Sequence, residues 1–144
     1  MARLDSNPAA LDAQTIAVLG KSYVRMLLQR DGVEVAEPAC DRGIDLIAYL
    51  DQHTKQLYAQ PIQVKSSLQF RWTHHVKYRA FPGLILAHVM HLEDQTNTRV
   101  YATNYSENHA IAKKLKYLER PLWLDSPDGQ KARMDTVPGC TSRA

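Results

Sequence analysis

The spacing of apolar positions changes along this chain, and each change marks an element boundary. Apolar residues recur at helical intervals at Ile16, Leu19, Tyr23, Met26 and Leu27, which predicts one long amphipathic helix ending at Gly32. Pro8 suits a first-turn position behind a cap at Ser6 or Asn7. Beyond Gly32 the apolar residues fall into short runs bounded by turn formers, the pattern of strands. Three runs qualify: Val33–Glu37, stopped by Pro38; Ile44–Leu50; and Leu57–Ser66, in which Pro61 marks a bulge or an edge position. The short Asp51-Gln52-His53-Thr54-Lys55 connection favours an antiparallel hairpin between the last two.

From Leu68 to Phe81 charged, aromatic and polar residues mix without clean periodicity, which reads as a loop with a short strand or turn. Pro82-Gly83 then introduces a strongly apolar strand over Leu84–Leu92, and Glu93–Asn97 turns into a further strand over Arg99–Thr103. Ser106 is the expected cap of a second helix with Ala110, Ile111, Leu115 and Leu118 as its buried stripe and Pro121 as its stop. Leu122-Trp123-Leu124 reads as a last strand. The order helix, three strands, loop, strands, helix, strand describes an α/β or α+β domain around a mixed sheet. That domain spans residues 1–125, and residues 126–144 read as a polar, flexible tail.

Composition narrows the partners. The net charge is only +3, but from Gln52 to Leu92 there is no Asp or Glu, while the same stretch holds Lys55, Lys65, Arg71, Lys77 and Arg79. Phosphates attract cations and repel carboxylates, so this segregation fits a nucleic-acid-facing surface. Trp72 and Tyr78, interleaved with those cations, either stack on unpaired bases or pack the loop onto the sheet. Cys40 and Cys140 match no zinc or disulfide spacing and read as reduced thiols. No stretch approaches the roughly 20 apolar residues of a membrane span, and a cytoplasmic location is expected. No Gly-rich phosphate loop is present, which argues against ATP-driven chemistry. Adjacent His74 and His75 point oppositely on an extended chain and read as phosphate or solvent contacts. His88 and His91 read as core or edge residues, not metal ligands.

Two runs carry the chemistry: Gly43-Ile44-Asp45-Leu46-Ile47 and Ile62-Gln63-Val64-Lys65. Alternation sends Gln63 and Lys65 to one face, and hairpin pairing brings Asp45 beside them. Asp45 offers an anionic oxygen, Gln63 an amide oxygen and Val64 a main-chain carbonyl, a hard-ligand set suited to Mg²⁺ or Mn²⁺. Lys65 stands ready to orient water or stabilise a pentavalent phosphate. Arg42, Arg71, Lys77 and Arg79 are the expected backbone-holding cations.

The same residues resemble a family. A long helix, a strand with Gly-x-Asp (Gly43-Ile44-Asp45), then a strand ending Gln-x-Lys (Gln63-Val64-Lys65) is similar to the PD-(D/E)XK nuclease superfamily in its glutamine variant. It looks like the group I intron homing endonucleases and the Holliday-junction-resolvase-like proteins within it. Gly20, Leu27, Leu28, Gly32 and Pro38 extend the match, which covers about residues 16–67 and, more loosely, the elements to Trp123. The resemblance implies a restriction-endonuclease-like αβββαβ core with a mixed central sheet flanked by helices. It also implies metal ligation by Asp45 and Gln63, a catalytic Lys65 and Mg²⁺-dependent cleavage of DNA. A homodimer or higher oligomer follows by analogy, since cutting both strands usually takes two sites. One departure stands out: members often carry a glutamate after the helix glycine, and here that position is Lys21. Unless Glu34, Glu37 or Asp41 reaches in, the site has one acid. This keeps two alternatives open: a nuclease fold that binds nucleic acid or protein without turnover, and an unrelated enzyme acting on a small anion.

Overall fold

A computed structural model describes residues 11–40, 42–51, 57–116 and 142–143. Helix α1 (Ala13–Arg30) leads into β1 (Glu34–Ala36), β2 (Leu46–Asp51) and β3 (Leu57–Ser66). A crossover holding a 3₁₀ helix (Val76–Ala80) connects to β4 (Ile85–Met90), β5 (Arg99–Thr103) and α2 (Tyr105–Lys114). The strands form one mixed sheet in chain order; β3 and β4 are parallel and the other pairs antiparallel, and a short β6 (Ser142–Arg143) adds to β5. The α+β class and the mixed sheet are those expected. The parallel step requires a crossover, and it is made by irregular chain and one 3₁₀ helix.

β3 and β5 run over the ranges the patterning predicts, whereas β1, β2 and β4 are each trimmed or shifted at their ends. Pro61 sits where β3 pairs with β2 alone, because pairing with β4 starts at Ile62. A residue without an N–H is tolerated on such an edge.

One face of the sheet, carrying Leu46, Ala48, Ile62, Val64, Ala87 and Val89, packs on Val24 and Leu27 of α1. The closest approach is at Gly20: a Cβ there would lie 1.8 Å from Ser66 Oγ and 2.6 Å from Ser66 Cβ. This contact turns Gly20, Val24 and Leu27 inward and leaves Leu19 and Met26 exposed, correcting the stripe read from spacing. Asp12 caps α1, accepting from Thr15 N at 2.7 Å, and the expected start at Pro8 lies outside the described residues. After Arg30, Gly32 adopts φ +81° and Val33 N bonds Leu28 O at 2.9 Å, a glycine-dependent helix stop.

The opposite face is covered by the crossover and α2. Trp72, Met90, Ile111, Ala112 and Leu115 form one cluster there, and Tyr78, Leu84 and Leu86 another. The cap of α2 is Asn104, not Ser106: Asn104 Oδ1 accepts from Glu107 N and Glu107 Oε2 accepts from Asn104 N, both at 2.9 Å. This reciprocal capping box satisfies two orphan donors. Ala110 is exposed, and buried Asn108 takes part in the inward face instead. Leu118, Pro121 and the strand expected at Leu122-Trp123-Leu124 lie outside the described residues.

Candidate active site

The pairing Leu46↔Ile62 puts Asp45 across from Gln63 at the point where β2 begins. Asp45 N bonds Ile62 O at 2.9 Å, and just before it Gly43 takes φ +90°, which lets the chain turn away from β3. The next β3 donor, Val64 N, is met by the Asp45 carboxylate at 2.7 Å. The acid therefore stands in for a missing strand neighbour, a structural task in its own right.

Gln63, nearly buried, donates through Nε2 to the same Asp45 oxygen, and Nε2 is also 3.4 Å from the Val64 carbonyl. One atom of the Gln63 side chain thus lies between the two other oxygens that the sequence nominated. Oε1 lies on the Gly43 side, 3.7 Å from where a Cβ of that residue would be. Rotating the amide about its last bond would exchange Nε2 for Oε1 and gather three oxygens, one anionic and two neutral. Magnesium commonly binds through one or two carboxylates and keeps waters and substrate oxygens for its other positions, so the donor set fits such an ion.

Lys65 follows on the same face, its Nζ 5.8 Å from the centroid of the Tyr78 ring. Lys77 Nζ lies 5.1 Å from the same ring, so two ammonium groups share one aromatic ring. His75 is in edge contact with Tyr78 at 6.1 Å. Burial, then the charges of Lys77, Lys65 and His74, hold its pKa below the ordinary histidine value. Lys65 thus puts a positive charge two residues from Gln63 on the same face, and Lys77 meets it at Tyr78.

Of the four backbone cations expected, Arg42 and Lys77 line one cleft with Gly43, Ile44 and Phe81. Arg79 is exposed on the 3₁₀ helix nearby. Arg71 lines a separate cavity with Ala13, Ser66 and Glu93. Trp72 is 2% exposed and packs in the core, so of its two readings the packing one holds. Tyr78 is likewise buried; the exposed aromatic of this region is Phe81. Its place in a connecting segment, directly before Pro82-Gly83, was the available signal, since such segments run over the surface.

A second layer fixes the crossover over the site. His88, the β4 partner of Lys65, is fully buried and stacks on Trp72 at 4.2 Å between ring centroids. Its Nε2 donates to Thr73 O at 3.0 Å. Asn108 of α2 donates to the same carbonyl at 3.2 Å and accepts from His74 Nδ1 at 2.8 Å. Burial pushes the His88 pKa down to about 4, the Thr73 carbonyl opposes this in part, and Lys65 adds to it. His88 is thus a core residue, as expected, and His74 a loop-to-helix tether in place of the expected surface contact.

Of the acids that could reach in beside Asp45, Glu37 is paired with α1. Lys21 Nζ is 3.7 Å from Glu37 Oε2, and Arg25 pairs with Glu37 Oε1. Glu37 is thereby held by two cations of α1. Glu34 is exposed at the start of β1, and Asp41 lies outside the described residues. Among the described residues no group of three or more His, Cys, Asp or Glu side chains is arranged to hold a metal. No described helix is long and apolar enough to cross a membrane. No family model, curated protein or solved structure matches the chain.

Proposed function

We propose that this protein is a metal-dependent DNA endonuclease that hydrolyses phosphodiesters with water as the nucleophile. The observation that carries the reading is the meeting of the Asp45 carboxylate, the Gln63 amide and the Val64 carbonyl at one point, with Lys65 next on the same face. Asp45, Gln63 in its turned rotamer and Val64 would hold the ion. Bound there, Mg²⁺ or Mn²⁺ supplies Lewis acidity, polarising a phosphate and easing the ionisation of water.

The chain's own residues do the rest. Lys65, held against Tyr78, presents its ammonium group to the attacked phosphate and offsets the negative charge that grows on its oxygens. Water forms a new P–O bond, the bond to the departing oxygen breaks, and that oxygen takes up a proton. Lys77 and Arg42, on the neighbouring cleft, bind the strand electrostatically without reading its sequence. Cutting both strands of a duplex calls for two such sites, so a homodimer is part of the reading.

One observation favours a second reading, a nuclease fold that binds nucleic acid without turnover. Glu37, one of the acids that could have joined Asp45, is engaged by Lys21 and Arg25 instead. Cleavage of branched, single-stranded and duplex DNA with Mg²⁺ or Mn²⁺ separates the two. Wild type should cut, and Lys65→Ala should lose on the order of 10²-fold or more, the usual worth of a transition-state charge partner. Equal rates in the two proteins would refute the assigned mechanism, and no cleavage by wild type would leave the binding reading.

A further inference from the structure

Of the cleft between the start of β2 and the Tyr78–Leu84 segment, the reading above uses only the two cations and leaves the apolar wall without a task. It has a volume of about 400 Å³ and an apolar lining that includes Ile44, Pro61, Tyr78 and Phe81, with Arg42 and Lys77 as its cations. That size falls within the range of about 300–1,000 Å³ typical of small-ligand pockets. A duplex does not fit such a space; a single nucleotide does. An apolar, aromatic wall with two cations matches the two halves of a nucleotide, a flat base and an anionic phosphate.

Its position ties it to the site. Ile44 directly precedes Asp45, and Pro61 shares with Gln63 and Lys65 the same face of β3. Phe81 is 60% exposed, a large apolar surface beside two cations. It is also held in place: Phe81 N bonds Tyr78 O, and Leu84 N bonds Phe81 O, each at 3.0 Å. Gln60 Nε2 anchors the same turn by donating to Gly83 O. Tyr78 lines the same cleft and is only 5% exposed.

We propose that this cleft receives one unpaired nucleotide of a DNA strand, its base against Phe81 and its phosphate on Arg42 and Lys77. The substrate would then be DNA with an extrahelical or single-stranded base beside the cleavage point. The inference rests on the reading of this face as one that meets nucleic acid.

The test is fluorescence anisotropy in EDTA with two labelled duplexes, identical except that a bulged thymidine in one is an abasic site in the other. Both carry the same charge, so a difference reports contact with the base. Wild type should bind the thymidine bulge about tenfold more tightly, in line with the worth of one base–aromatic stack. Phe81→Ala should abolish the preference and Phe81→Trp should keep it, while Lys77→Ala should weaken binding to both duplexes alike. Equal affinity of wild type for the two duplexes, or a full preference surviving in Phe81→Ala, would overturn the proposal. Chelation keeps this outcome apart from the nuclease reading. A protein that prefers the base but never cuts with Mg²⁺ retains the cleft and loses the catalysis; one that cuts plain duplex without any preference does the reverse.

Discussion

Replacing His88 with phenylalanine should remove an acid-sensitive component of stability while leaving the stacking on Trp72 in place. The imidazole is fully buried, and its pKa falls from 6.5 to about 4 in the folded chain. Below pH 6.5 the unfolded state therefore binds the proton that the folded state refuses, and stability is lost as pH falls through this window. Above pH 6.5 both states carry a neutral ring and the component is fully present. Each pH unit of separation corresponds to about 1.4 kcal/mol, so the whole window is worth roughly 3 kcal/mol. About 2 kcal/mol of it should be gone between pH 7 and pH 4.5.

Urea unfolding of wild type and His88→Phe at intervals from pH 7.5 to 4.5 measures this directly. The wild-type midpoint should fall by on the order of 1–2 M relative to the variant over that range. Carboxylates and His75, whose pKa is also lowered, titrate in both proteins and cancel in the difference. The Thr73 carbonyl, losing its His88 donor, keeps Asn108 at 3.2 Å, so the variant leaves no orphaned acceptor there. Parallel pH profiles for the two proteins would refute the reasoning, whatever their stabilities at pH 7.

Gly20→Ala should destabilise the fold by about 1–3 kcal/mol, because the new methyl meets Ser66 Oγ at 1.8 Å and Cβ at 2.6 Å. Adding Ser66→Gly removes both atoms and leaves a Cα at 3.6 Å, so the double variant should recover part of the loss; a double-mutant cycle with no coupling would contradict the packing described. Asn108→Ala should cost about 1–3 kcal/mol, since it leaves His74 Nδ1 without its buried acceptor and cuts the tie between α2 and Thr73. Hydrogen exchange should show the 68–84 crossover opening more readily in that variant, and unchanged protection there would exclude the tether.

Local pattern made the strands legible. β3 and β5 could be bounded from their apolar runs and flanking turn formers, and alternation alone assigned Gln63 and Lys65 to one face. The short connection between β2 and β3 made an antiparallel hairpin the natural choice, which brought Asp45 across from Gln63. What spacing could not supply was the rotation of α1. Its apolar residues encircle much of the helix, and the buried face is the one on which Gly20 allows a close approach to Ser66 of β3.

The chain by itself therefore determined which side chains share a strand face and where the turns fall, because those depend on residues a few positions apart. Tertiary structure decided everything that depends on approach between distant segments. It set the burial of Trp72 and Tyr78, the exposure of Phe81, the engagement of Glu37 by Lys21 and Arg25, and the position of Gln63 Nε2 between two oxygens. It also separated Arg71 from Arg42 and Lys77, which the sequence had grouped by charge alone. Arg71 and Lys77 are joined by chain without regular structure that leads into the 3₁₀ helix, and six such residues can span up to ~20 Å, enough to deliver two cations close in sequence to different cavities.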